Sequence, residues 1–153
     1  MRRIGIISDT HGLLRPEAVA ALAGYDLILH AGDIGSPDVL EALSRIAPLT
    51  AVRGNNDRGA WARAVPETEV VEVDGLRLLL MHNVKELDRD PFSAGFAAVV
   101  SGHSHVPGFN VEKGVLFFNP GSAGPRRFRL PVALGSIIVQ HGRLLPAIVE
   151  LAV

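Results

Sequence analysis

The chain has no cysteine among its 153 residues. Disulfides, thiolate zinc sites, iron–sulfur clusters and cysteine nucleophiles are excluded together, so any chemistry must run on oxygen and nitrogen groups. Lysine is scarce: of 15 basic residues, only Lys85 and Lys113 are not arginine. Net charge is nearly absent, 16 acidic residues leaving a formal −1, and no overall field draws such a chain to DNA or to an anionic membrane. A leader is not apparent either. The basic Met1-Arg2-Arg3 meets an apolar run over residues 4–7 that ends at Asp9, too short for a signal segment and without a small-residue cleavage site. The longest apolar stretch, residues 132–153, is broken by Gln140-His141-Gly142-Arg143 and cannot span a bilayer. These absences set the expectation of a cytoplasmic protein with no membrane partner.

What remains is 48% hydrophobic and 20% charged, the composition of a globular protein. No linker, repeat or low-complexity segment divides the chain, so residues 1–153 are expected to form one domain. A domain of this size buries roughly 70% of the surface its unfolded form exposes.

The first half alternates buried strands, at residues 4–7, 26–31 and 49–52, with helical patterns. One helix opens at Arg15-Pro16-Glu17 and stops at Gly24. The next has Ser36 as N-cap and Pro37 at its first position, with Val39, Leu40, Leu43 and Ile46 in helical period and Pro48 as its stop. Strands two dozen residues apart with a helix between them predict parallel pairing. The second half pairs apolar segments across short turns: 69–73 with 76–81 across Asp74-Gly75, 109–111 with 115–118 around Lys113-Gly114, and 132–139 with 144–151 across His141-Gly142. A further strand is expected at 97–101 and a short helix at 88–94. Two stacked sheets with helices outside would cover both halves.

The residues that follow the strands carry the chemistry. Five successive strands run into Asp9-Thr10-His11, Gly32-Asp33, Gly54-Asn55-Asn56-Asp57, His82-Asn83 and Gly102-His103-Ser104-His105. Asp, Asn and Gly alone are ordinary turn chemistry. Their joint occurrence with histidine at strand carboxyl ends, where open α/β sheets collect ligands, is not. Asp9, His11, Asp33, Asn55, His82, His103 and His105 are more groups than one zinc needs. They suit two metals once a shared carboxylate and water are included. Mixed carboxylate, amide and imidazole donors favour Mn, Fe, Zn, Co or Ni over Ca or Mg without ranking them further; manganese is taken as the first expectation.

In order and spacing these five motifs resemble those of the calcineurin-like metallophosphoesterases, and the length, Asn119-Pro120-Gly121-Ser122 and the hairpin-rich tail resemble its small bacterial and archaeal phosphodiesterases. The resemblance implies a four-layer α/β/β/α sandwich of two mixed β-sheets, the metallo-dependent phosphatase fold. It implies two divalent metal ions, Asp9, His11 and His105 serving one, Asn55, His82 and His103 the other, and Asp33 bridging them. It further implies hydrolysis of a small or activated phosphodiester by a hydroxide held between metals about 3.5–4 Å apart, with Asp33, Asn55, Asn56 and His103 in the catalytic set. Two other functions share the motifs: a phosphomonoesterase or nucleotide phosphatase on the same site, and a non-catalytic scaffold like the retromer subunit of this fold. A nucleic-acid partner is not expected, because no residues remain for a clamp. A homo-oligomer is common among similar proteins.

Two positions depart from the family pattern. Asn56 stands where many members have histidine; a neutral amide donates a hydrogen bond but cannot act as a general acid near pH 7. It reads either as a substrate contact or as a loop residue of unusual backbone angles. Asn83 follows His82 where glycine is usual. His30 reads as a packed histidine supporting the site, His141 as a solvated turn residue and Asp57 as a brace. Arg53, Arg58 and Arg127 are candidate phosphate contacts, although for the cluster Arg126, Arg127 and Arg129 a solvated surface patch is favoured over a border of the site or a face toward a neighbouring subunit. Trp61, the sole tryptophan, is expected in a loop as a substrate wall or interface anchor.

Overall fold

A computed structural model describes all of residues 1–153. Continuous apolar runs in the sequence become strands with both faces covered. In β5 (Leu76–Met81), Leu78 and Leu80 point to one buried cluster and Leu79 and Met81 to another. The same division holds for β1 (Arg2–Ile7), where Ile4 and Ile6 face one cluster and Ile7 another. Alternation with period two therefore sorts one run into two cores.

The remaining elements are α1 (Pro16–Leu22), β2 (Leu27–His30), α2 (Pro37–Ser44), β3 (Leu49–Ala51), α3 (Ala60–Arg63), β4 (Thr68–Val73), β6 (Ala98–Val100), β7 (Gly108–Glu112), β8 (Val115–Asn119), β9 (Ala133–Gln140) and β10 (Arg143–Glu150). Two five-stranded sheets have the orders β10-β9-β1-β2-β3 and β4-β5-β6-β8-β7. The strands β1, β2 and β3 pair in parallel, as their spacing predicts. The sheets enclose a core built on Ile6, Leu80, Val100 and Phe118. The helices cover the other face of the first sheet through Leu22, Val39 and Leu43. The outer face of the second sheet is covered by a 3-10 turn at Val84–Glu86 and the segment after it, closing over Leu79, Met81 and Phe96. This is the expected sandwich, with its fourth layer reduced to turns.

Three local expectations change. No helix forms over 88–94; a run of turns occupies 91–95 instead, behind the 3-10 turn. Trp61 lies in α3 and packs half-buried against the helix-side core, not in a loop. Ser36 occupies the N-cap of α2 with extended backbone but makes no side-chain cap. The hairpin β9–β10 joins the first sheet beside β1, so the parallel and antiparallel halves of the sequence do not correspond to separate sheets. The three short hairpin turns pair a left-handed residue with a left-handed glycine: Asp74-Gly75, Lys113-Gly114 and His141-Gly142. Two consecutive positive φ angles are the type I′ geometry that matches strand twist. His141 is thereby explained as an exposed turn residue. No helix is long and apolar enough to cross a membrane.

Candidate metal centre

Parallel strands bring their carboxyl ends to one edge, and the strand-end residues of both sheets meet there. Asp9 follows β1, Asp33 follows β2, Asn55 follows β3, His82 follows β5, and His103 and His105 follow β6. Two groups form. Donor atoms of Asp9, His11 and His105 lie within 4.8 Å of one another, as do those of Asp33, His82 and His103. Asp33 reaches into both: its Oδ2 is 3.3 Å from His82 Nε2 and 3.8 Å from His11 Nε2. Asn55 is exposed and lines the cavity that opens on His82 and His103. All seven expected ligands are thus at one place.

Each donor is aimed by a partner behind it. The Asp9 Oδ2 accepts hydrogen bonds from the Ser8 hydroxyl, at 2.7 Å, and from the His103 amide, at 3.1 Å. Its Oδ1 is left facing His105 Nε2, 3.4 Å away. His82 Nδ1 donates to the Ala31 carbonyl at 2.8 Å, which fixes the tautomer and leaves Nε2 toward Asp33. His103 Nδ1 faces that same Nε2 at 3.2 Å. Asn119 Nδ2 donates to the Gly102 carbonyl and to Ser104 Oγ, holding the loop that carries His103 and His105.

Asn56 is turned inward. Its backbone amide donates to Asp33 Oδ1 and its side-chain amide to Asp33 Oδ2, both at 3.0 Å. The carboxylate therefore has a donor on each oxygen. Burial pushes the Asp33 carboxyl up, but hydrogen bonds from His82 and Asn56 outweigh it and hold the group well below the usual carboxylate range. Burial also pushes His82 down, and is overcome by its hydrogen bonds to Asp33 and the Ala31 carbonyl, which raise it.

Asp57 ties the loops together. Its two oxygens accept from the amides of Ile34, Gly35 and Gly54, and the residue is 8% exposed. Replacing Asp57 by alanine would leave three donors without an acceptor, those of Ile34 and Gly54 buried, and should cost about 3 kcal/mol of stability in urea unfolding.

His30 has no place in the metal clusters. It is fully buried, with Gly32 N–H donating to its Nδ1 at 3.1 Å and its Nε2 3.0 Å from Thr10 Oγ1. The Thr10 hydroxyl donates to the Ile34 carbonyl, so Nε2 carries the ring proton and the imidazole is satisfied while neutral. Burial lowers its pKa to about 4 despite Asp9 and Asp57 nearby. Between roughly pH 6.5 and that value only the unfolded chain takes up the proton. Stability contributed by His30 is therefore present above pH 6.5 and falls by roughly 3 kcal/mol as pH drops to 4. The difference between wild type and His30→Gln in urea unfolding across that range should show this slope.

The site holds its residues in uncommon backbone. Asp9, His11, Asp33, His103 and His105 all have φ between 47° and 70°. Left-handed backbone in such residues costs on the order of 1 kcal/mol or more each and persists where the surroundings enforce it. Two glycines are required by closeness alone: a Cβ on Gly54 would collide with Asp33, and one on Gly102 would lie 2.6 Å from Asp9 Oδ2.

The donor set fits divalent cations. Asp9 Oδ1, His11 Nε2 and His105 Nδ1 are buried without any hydrogen-bond partner, a state that costs free energy unless something else completes it. A second carboxylate and two imidazole nitrogens converge beside them. Oxygen and imidazole donors of this kind suit borderline transition metals.

The arginines are placed differently from one another. Arg53 lines the cavity beside His82 and His103, with part of its guanidinium engaged: it donates to the carbonyls of Ala62 and Val65 and pairs with Glu67 at 2.9 Å. Arg58 and Arg127 are exposed and do not line the cavity beside His82 and His103. The residue types of Ser8, Thr10 and Asn119 do not mark them as supports of the site. The adjacency of Ser8 and Thr10 to Asp9 was the available signal.

A probable metallophosphoesterase of Methanothermobacter thermautotrophicus is 37% identical over 131 residues, 78% of this chain and 76% of that protein. Among solved structures, a novel archaeal phosphodiesterase superposes with TM-score 0.79 at 24% identity, covering 96% of this chain and 99% of its own. Vps29 of Entamoeba histolytica, crystallised with Zn2+, superposes with TM-score 0.74 at 19% identity, covering 97% and 98%. At these identities the two structures speak for the fold. Residues 1–141 match the family model described as the calcineurin-like phosphoesterase superfamily domain, and a chain whose strand ends converge on this ligand set belongs to that superfamily.

Proposed function

We propose that the protein is a dinuclear metal-dependent phosphodiesterase acting on small or activated phosphoesters. The observation that carries this reading is the position of Asp33, a carboxylate within 3.8 Å of nitrogens from both donor clusters. Asp9, His11 and His105 would hold one cation, His82, His103 and Asn55 the other, and Asp33 would serve both. Bound there, divalent cations, manganese first among them, supply Lewis acidity: they neutralise phosphate oxygens and lower the pKa of water.

The chain's own residues do the rest. Asn56 keeps both Asp33 oxygens oriented, and the Ala31 carbonyl holds His82 with Nε2 turned toward Asp33. His103, exposed at the mouth, is placed to donate to a phosphate oxygen. A cavity of about 550 Å3 beside it limits the substrate to a small one. The side-chain amide of Asn56 is engaged with Asp33 and, being neutral, cannot act as a general acid near pH 7. Leaving groups that depart without a proton should therefore be preferred.

The test is a substrate panel after chelation and reloading with Mn, Fe, Zn, Ni or Co. Bis-p-nitrophenyl phosphate should be hydrolysed faster than p-nitrophenyl phosphate, and the rate should fall steeply as the leaving phenol becomes less acidic. Faster hydrolysis of the monoester would establish the phosphatase alternative. No hydrolysis with any metal would favour the scaffold reading, for which likeness of fold to Vps29 is the support.

A further inference from the structure

The cavity that opens on Asn55, His82 and His103 extends beyond them, and its far part is built from residues with no role in holding a cation. Its floor is the outward face of β5, where Leu79 and Met81 also pack against Phe96. Thr68, at the start of β4, lies on one wall and the segment 86–89 on the other. Leu87 of that segment is half-buried against the floor. A phosphate group at the cations fills little of about 550 Å3, so one ester arm has this space to itself.

The polar groups there select among arms. Arg53 is already paired with Glu67. Glu86 and Asp88 are exposed carboxylates that enter neither of the chain's surface ion pairs, which join Arg45 to Glu41 and Arg53 to Glu67. Arg89 holds its guanidinium 5.1 Å from the centre of the Phe96 ring. A further phosphate would meet three carboxylates, Glu67, Glu86 and Asp88, against two guanidiniums, Arg53 and Arg89, a balance that disfavours it. A purely apolar arm would strip water from them and return no hydrogen bond. Alcohol hydroxyls donate to carboxylates, and the C–H face of a polyol or sugar packs on leucine and methionine. The geometry points to a subsite between Thr68 and residues 86–89 for a polyhydroxylated ester arm, glycerol-like or sugar-like, with Glu86 and Asp88 accepting its hydroxyls. This rests on the phosphodiesterase reading above.

Two esters that differ only in hydroxyls test it: propyl p-nitrophenyl phosphate and 2,3-dihydroxypropyl p-nitrophenyl phosphate, with bis-p-nitrophenyl phosphate as reference, on the manganese-loaded protein. In each, water adds to phosphorus, the bond to p-nitrophenolate breaks, and phosphorus keeps the arm under test; rates are read by 31P NMR as the open-chain alkyl phosphate, because attack of the 2-hydroxyl on phosphorus also expels p-nitrophenolate and leaves a cyclic diester. The dihydroxypropyl ester should show kcat/KM about tenfold above the propyl ester, the worth of one or two hydrogen bonds to a charged acceptor. In the double variant Glu86→Ala/Asp88→Ala the ratio should fall to about one. Because the ratio is taken on a single preparation, partial unfolding cancels. Equal rates in wild type, or a ratio that survives in the double variant, would overturn the subsite while hydrolysis of the reference ester leaves the phosphodiesterase reading intact. If no ester, the reference included, is hydrolysed, that reading fails and the subsite with it.

Discussion

Asp33→Asn is expected to lower hydrolysis of bis-p-nitrophenyl phosphate by about three orders of magnitude, equivalent to roughly 4 kcal/mol of transition-state stabilisation. Asp33 is the one carboxylate within reach of both donor clusters. The substitution removes its charge from both at once. It also sets an amide NH2 against the donors of Asn56, which now point at Asp33 Oδ1 and Oδ2, so the residue cannot satisfy both partners in its present orientation. The fold itself should survive, because the hydrophobic clusters do not include this side chain. Circular dichroism of the variant should match wild type while activity is lost. Retention of more than about a tenth of the rate would mean that the two clusters do not act through Asp33.

The second large effect is on stability. Without cations, the centre holds five residues in left-handed backbone and three buried polar atoms without partners. Anything that binds these groups only in the folded state stabilises it. At a free Mn2+ concentration 100 times the Kd, each site contributes about 2.7 kcal/mol. Two sites together should raise Tm by on the order of 10–20 °C for a chain of this size. Asp9→Asn removes the carboxylate of one cluster only, and should reduce the increment by about half. An increment below about 2 °C in wild type, measured by scanning calorimetry with and without metal, would leave the unpartnered atoms unexplained.

Much of this centre is legible in the sequence because its ligands sit at strand ends, and strand ends are marked by a change from apolar to polar residues. Parallel pairing of β1, β2 and β3 follows from the helices between them, which places Asp9, Asp33 and Asn55 on one edge. Which sheet receives β9–β10 is not legible, since a hairpin carries the same pattern wherever its apolar faces are covered. The left-handed backbone of Asp9, His11, Asp33, His103 and His105 leaves no mark in residue type beyond the tolerance of Asp and His for it. The inward turn of Asn56 and one of the two anchors of His30 depend on loops distant in sequence, Asp33 from the second strand end and Thr10 from the first, while the other anchor of His30, Gly32, is local. Arg53 shows the same limit: its residue type advertises a phosphate contact but not the bonds to Ala62, Val65 and Glu67 that engage three of its five donors at the cavity wall. The helix expected over 88–94 fails because Asp90 accepts from the Phe92 amide and the Ser93 hydroxyl, closing a local turn.

The central claim is that two clusters joined by Asp33 hold two cations. Crystals soaked in Mn2+ and measured at its absorption edge test it directly. Two anomalous peaks per chain are predicted, one among Asp9, His11 and His105 and one among Asn55, His82 and His103, with Asp33 in contact with both. A single peak, or none at these residues, would contradict it.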